Sequence, residues 1–217
     1  MNSQTIKDSG VTEIVIFTRY PEAGTTKTRL IRSLGPENAA RLQRAMTEKL
    51  LTAIEAMPLS RGCRLKICFT GGTRAQMKKW LGDHPFEEQQ GCDLGEKMEH
   101  AFQESFNNGA EQVVLVGSDI PSIDTDLMSQ AVTLVTKEEL VIGPTFDGGY
   151  YMIGFNRKCA AALYPEIFHD IPWSSADVLA STIDNVTALG LSYKLLPKHH
   201  DIDTPEDLPY AEKWQLL

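Results

Sequence analysis

Cysteine is scarce. Four occur in 217 residues, Cys63, Cys68, Cys92 and Cys159, and no two stand at CxxC spacing. That pattern speaks against a zinc site and against a disulfide framework, so reduced thiols in a cytoplasmic protein are expected. Long apolar runs are missing too. Nothing approaches the roughly 20 residues that a membrane-spanning helix needs, and the opening MNSQTIKDSG lacks the apolar centre of a signal peptide. Basic residues are in the minority, 21 Lys and Arg against 29 Asp and Glu. A net charge of −8 argues against a broad nucleic-acid face. Three familiar signatures also fail. GTTKT at 24–28 is not a Walker loop, because no glycine directly precedes Lys27 and the earlier glycine is missing. No GxGxxG follows the first apolar run, which disfavours a dinucleotide-binding domain, and the lack of a GxSxG elbow removes the common serine hydrolases.

Against this background the stretch Ile14 to Leu30, IVIFTRYPEAGTTKTRL, stands out. It begins with the dense β-branched run Ile14-Val15-Ile16-Phe17, which reads as a strand buried on both faces. Pro21 and Gly24 then keep the chain irregular, which predicts a loop at the strand's carboxyl end. In open α/β sheets ligands bind at that place. Residues 18–33 carry Arg19, Lys27, Arg29 and Arg32 against Glu22, a local +3 on a chain whose remainder is −11. A compact cationic loop on an acidic protein suits a small anion, and arginine forks with a lysine point charge suit phosphate oxygens. The plainer alternative is a solvated surface loop.

The remaining pattern alternates strands with helices. A long helix is predicted over 36–57, with Ala39, Leu42, Met46, Leu50 and Ile54 three or four residues apart and Pro58 beyond its end. Further strands are expected at 64–70, 86–90, 113–116, 140–142, 150–155 and 191–196, and further helices up to Trp80, from Asp93 towards Phe106, over 125–135, over 175–189 and after Thr204. Residues 1–11 read as a loose leader. The alternation predicts an α/β domain, one largely parallel sheet covered on both faces, spanning 1–217 without a dividing linker or repeat.

The acidic residues divide by what helix capping explains. Asp119, in GSDIP, follows a buried strand and has no capping duty, because Asp124 is better placed for the next helix. It is therefore a candidate Mg²⁺ ligand, since hard cations take carboxylate oxygens. Asp201 and Asp203 precede a segment whose cap is already supplied by Thr204, Pro205 and Asp207. At i and i+2 in an extended chain their side chains point the same way, and a cation between them would relieve the repulsion; solvated turn residues are the alternative. Asp93 is explained as an N-cap with Glu96 at N3, although the helix terminus with Gly95 could also face a nucleotide. Asp147-Gly148-Gly149 reads equally as a turn and as a backbone that a ligand can approach. Trp173 to Asp177 reads as a start signal with Ser174 as N-cap and Trp173 stapled onto Val178, sugar stacking by Trp173 being the lesser alternative. His199 and His200 read as partly exposed structural residues.

Six segments together, FTRYPEAGTTKTRL, GCDLGEKMEHAF, LVGSDIP, GPTFDGGYYMIG, WSSADV and DIDTPEDL, make the chain resemble the nucleotide-diphospho-sugar transferase superfamily with the glycosyltransferase-A fold, and within it the selenodomain-associated transferases. A more distant resemblance is to phospholactate guanylyltransferases. The resemblance implies a three-layer α/β/α, Rossmann-like domain with a mostly parallel mixed sheet. It implies that Arg19, Gly24, Lys27 and Arg29 meet nucleotide phosphates, that Asp119 with Asp201 and Asp203 holds Mg²⁺ or Mn²⁺, and that Asp147, Gly148 and Gly149 lie beside the acceptor or sugar. Lys27 and Asp119 then become the catalytic pair. GSD stands where the family's DXD is usual, Gly117 replacing the first carboxylate. The expected partners are a nucleotide-sugar or a nucleoside triphosphate and a small acceptor, with glycosyl transfer favoured over nucleotidyl transfer; a nucleotide-binding module without turnover is the rival. No general base stands out, and nothing bears on oligomeric state.

Overall fold

The computed structural model describes residues 10–57, 62–160, 164–214 and 216. Residues 1–9 of the expected leader, and Pro58, lie outside the described residues. The strands are β1 (Thr12–Arg19), β2 (Cys63–Thr70), β3 (Phe86–Glu88), β4 (Gln112–Gly117), β5 (Leu140–Pro144), β6 (Tyr150–Asn156) and β7 (Tyr193–Leu195). Between and after them run α1 (Ile31–Leu34), α2 (Pro36–Glu55), α3 (Arg74–Leu81), α4 (Leu94–Asn107), α5 (Thr125–Val135), α6 (Arg157–Ala160), α7 (Tyr164–Phe168), α8 (Val178–Ala188) and α9 (Leu208–Lys213). One seven-stranded sheet has the order β3-β2-β1-β4-β6-β5-β7. All its neighbours pair in parallel except β6, which is antiparallel to β4 and to β5. This is the mixed, three-layer α/β architecture that the resemblance implies, with the largely parallel pairing that the alternation of elements predicts.

The continuous apolar runs divide their side chains between two cores. Ile14 and Ile16 join Leu50, Ile54, Met128 and Val135 on the face of α2 and α5. Val15 and Phe17 join Met98, Phe102, Ile153 and Val186 on the face of α4 and α8. Successive residues of a strand point to opposite faces, so β1 is anchored from both sides and seven of its eight residues are buried. A third, smaller cluster packs Leu30, Leu42 and Met46 against Ile202 and Ala211. It fastens the loop after β1 to the end of the chain.

The strand order places the carboxyl ends of β1 and β4 side by side, with Phe17 opposite Gly117. Chain from β1 leads outward through β2 and β3 and returns to β4 on the other side of β1. That reversal opens a crevice above β1 and β4. The β5–β6 hairpin brings residues 145–149 to the same edge. The segment before α9 is drawn there too, because the Ile202 N–H donates to the Asp119 carbonyl at 3.0 Å.

Capping follows the sequence at three helices. Asp93 Oδ1 accepts from Glu96 N at 2.9 Å, Asp124 Oδ1 accepts from Leu127 N at 2.8 Å, and Asp207 Oδ2 accepts from Thr204 N at 2.7 Å. One expectation fails. Ser174 is not an N-cap: its φ is +68°, and α8 begins only at Val178. The intervening residues form a turn in which Ser175 Oγ accepts from Asp177 N at 3.2 Å. Cys63, Cys68 and Cys92 form no disulfide, and burial pushes the Cys68 thiol up to about 12.

Candidate functional site

A cleft of about 630 Å³ lies across the carboxyl edge of the sheet, and a polar pocket of about 290 Å³ opens beside it. Arg19, Lys27, Arg29, Gln43, Asp119 and Asp203 line the pocket. Lys27 is its centre. Its backbone is left-handed, with φ 49° and ψ 46°, a conformation that costs a non-glycine residue about 1–2 kcal/mol. The side chain is only 3% exposed, and its ammonium reaches Asp119 Oδ1 at 3.0 Å and Asp203 Oδ1 at 3.6 Å. It also donates to the Ile202 carbonyl at 2.6 Å. A strained residue held by so many contacts is the pattern of a functional loop. Arg29 Nη1 meets the other oxygen of Asp203 at 2.6 Å, and Arg19 Nη1 donates to the Thr25 carbonyl at 2.9 Å. Gly24 has a positive φ of 86° and shapes the loop without lining the pocket.

Asp119 and Asp203 therefore sit among cations. Asp119, Asp147, Asp201 and Asp203 all line the large cleft. The cation between Asp119 and Asp203, however, is the Lys27 ammonium. Among the described residues no three acidic, histidine or cysteine side chains form a metal site on their own. Asp201 is different. Burial, with the Asp147 carboxylate as the next cause, raises its carboxyl to about 6. Asp147 Oδ1 accepts from Thr145 Oγ1 and from Gly149 N, which fixes the hairpin tip.

Three expected ligand positions have structural work instead. Asp93 is spent on its cap and does not line the cleft. Gly95 is buried beneath Trp173, whose indole lies 2.8 Å from where a Cβ would be. Gly148, at φ +94°, admits the Ala176 carbonyl to 2.0 Å from where its Cβ would stand, and so serves packing. Gly149 and Trp173 do line the cleft. Trp173 packs edge-on to Tyr150, with ring centroids 6.4 Å apart. His199 and His200 are structural. Ser122 Oγ bonds His199 Nδ1, and burial lowers the His199 pKa; His200 is sandwiched between Phe146 at 4.1 Å and Tyr210 at 3.9 Å.

Sequence reasoning missed the floor of the site. Gln43 Nε2 donates to Ser118 Oγ at 3.0 Å and to Thr47 Oγ1 at 3.2 Å, while Thr18 Oγ1 lies 2.9 Å from Thr47 Oγ1. Gln89 Nε2 adds a bond to the Cys68 carbonyl at 3.1 Å. A signal existed: Gln43 and Thr47 fall on the buried face of α2, where the 3.6-residue period calls for apolar side chains.

With this geometry in hand, likeness to other proteins is informative. A family described as "Uncharacterized protein conserved in bacteria (DUF2064)" matches residues 51–175. The crystal structure of a "putative nucleotide-diphospho-sugar transferase" from Desulfovibrio desulfuricans is 38% identical over 90% of this chain and 83% of that one, with a TM-score of 0.83. A 4-diphosphocytidyl-2C-methyl-D-erythritol synthase from Anaerococcus prevotii is 12% identical over 97% and 98% of the two chains, with a TM-score of 0.61. A Mycobacterium tuberculosis protein solved in complex with manganese is 14% identical over 93% and 97%, with a TM-score of 0.53. At those lower identities the likeness is one of fold alone. Comparison with curated proteins finds no match.

Proposed function

This chain belongs to the DUF2064 family and to the nucleotide-diphospho-sugar transferases, and on that premise we propose that it transfers a glycosyl group from a nucleotide-diphospho-sugar to a small acceptor. The observation that carries the choice of donor is the charge balance of the polar pocket. Its three cations face two carboxylates, and Lys27 and Arg29 are already paired with Asp119 and Asp203. Of the three, Arg19 alone is bound to no carboxylate among the described residues, its contact being the Thr25 carbonyl. The net surplus of one charge suits the two negative charges of a diphosphate diester better than the four of a triphosphate.

In this reading Arg19 and Arg29 grip the diphosphate oxygens and Lys27 lies against the leaving phosphate. An acceptor hydroxyl oxygen forms a bond to the anomeric carbon while the bond from that carbon to the phosphate oxygen breaks. The electron pair stays on the phosphate, whose growing charge Lys27 and Arg29 stabilise, and a nucleoside diphosphate leaves. The acceptor's proton passes to the Asp147 carboxylate of the cleft. The raised carboxyl of Asp201 and an all-oxygen donor set are compatible with a hard cation arriving with the diphosphate. Asp201, with Asp119 and Asp203, would hold Mg²⁺ or Mn²⁺, which supplies further positive charge to the leaving group when bound. Manganese in the Mycobacterium tuberculosis protein of the same fold is consistent with this.

The test is incubation with nucleotide-sugars and nucleoside triphosphates, with water and a mixture of small alcohols and amines as acceptors. Nucleoside diphosphate release from a nucleotide-sugar is the expected result. Pyrophosphate release from a triphosphate would instead mark a nucleotidyltransferase, and no release with either would favour a binding module.

A further inference from the structure

The cleft has two ends of opposite character. Arg19 and Arg29 stand at the β1 end, beside the pocket that holds Lys27. At the end over β5 and β6 stand Asp147, Asp201, Tyr150 and Trp173, and among the described residues no lysine or arginine lines it. We infer that the second substrate is an unphosphorylated molecule with an apolar body and a hydroxyl or amine head. Its role as acceptor rests on the transfer reading above; its chemical class rests on this end of the cleft.

Two features give the class. The carboxylates cannot be bypassed: Asp147 is pinned by Thr145 and Gly149, and Asp201 lines the cleft with it. A phosphate or carboxylate head would face both with no lysine or arginine among the described residues lining this end of the cleft, whereas a hydroxyl or ammonium would donate to them. The adjoining wall is apolar and stiff. Trp173 is wedged over Gly95 and edge-on to Tyr150, and Leu94, at 46% exposure, extends the wall to the rim. Rigid aromatic walls beside fixed acceptors recognise molecules with one apolar and one donor-bearing end.

A matched series tests this: 2-phenylethylamine, 2-phenylethanol and phenyl phosphate share a ring and differ in head group. Each is titrated by saturation-transfer NMR into protein whose cationic end is filled with saturating dimethyl diphosphate, a diester with the charge of the proposed donor. The amine and the alcohol should bind at least tenfold tighter than phenyl phosphate, and Asp147→Asn and Asp201→Asn should each narrow that gap threefold or more. Phenyl phosphate binding equally well, a gap unchanged in both variants, or no binding of amine and alcohol overturns the inference. So does displacement of the amine by uridine or guanosine, because the aromatic wall would then hold the donor's base. Dimethyl diphosphate reports separately on the transfer reading. If it fails to bind, or binds regardless of Arg19→Ala and Arg29→Ala, that reading falls, and the head-group comparison is made in the Arg19→Ala/Arg29→Ala double variant without it.

Discussion

At the scale of single residues, Lys27 combines two constraints that mutation can separate. Its left-handed backbone is a cost borne by any side chain, and its ammonium ties Asp119 to Asp203. Lys27→Ala and Lys27→Gly both remove the charge, and each should weaken nucleotide-sugar binding tenfold or more, measured by calorimetry, if one charged contact contributes about 1.5–3 kcal/mol. Glycine alone relieves the backbone, so Lys27→Gly should melt about 2–4 °C above Lys27→Ala for a difference of about 1 kcal/mol in a chain of this size. Equal melting temperatures would show that the loop relaxes without its lysine. Gln43 makes a contrasting case. Gln43→Leu leaves the Ser118 hydroxyl without its buried donor, and should cost about 1–3 kcal/mol in denaturant unfolding. Residue by residue, the sequence was most legible where chemistry is local. Asp119 could be singled out because Asp124 visibly takes the capping role, and the structure joins Asp119 to Lys27. That the ion between Asp119 and Asp203 is an ammonium could not be read, since the two partners lie 92 and 176 positions from Lys27 and only folding brings them together.

At the scale of elements, the six segments that carry the family resemblance all contribute residues to the cleft at one edge of the sheet. Strand and helix positions follow from apolar periodicity because β1, β4 and β6 are buried on both faces and α2, α4 and α5 on one. The turn before α8 escaped because Trp173-Ser174-Ser175 carries the composition of a cap. Tertiary packing decides otherwise: the Leu179 N–H is held by the Gly148 carbonyl at 2.9 Å, which draws the helix start towards the hairpin. A second tie between elements is the aromatic column Phe146–His200–Tyr210, which joins that hairpin to the segment before α9 and to α9 itself. Losing two ring contacts, each contributing about 0.5–1.5 kcal/mol, should make His200→Ala less stable by about 1–3 kcal/mol in chemical denaturation. His200→Phe should recover most of that loss. Failure of phenylalanine to recover it would assign the effect to the imidazole nitrogens instead of to stacking.

At the scale of the whole molecule, an acidic chain gathers Arg19, Lys27 and Arg29 in one pocket. A divalent ion that enters with the donor should then matter beyond its ligands. Mg²⁺ or Mn²⁺ should tighten nucleotide-sugar binding tenfold or more in calorimetry, and chelation should reverse it; binding indifferent to metal would leave Lys27, Arg19 and Arg29 as the sole counter-charges. The small apolar seam of Leu30, Leu42, Ile202 and Ala211 has a further consequence. It joins the segment around Leu30 and Leu42 to the segment around Ile202 and Ala211, and so makes the pocket wait on chain far downstream of Lys27. During synthesis the central strands can pair and collapse well before residues 201–203 emerge, yet until those residues arrive Lys27 has no carbonyl or Asp203 to meet. A nascent or prematurely ended chain should thus be folded in outline and blind to its donor.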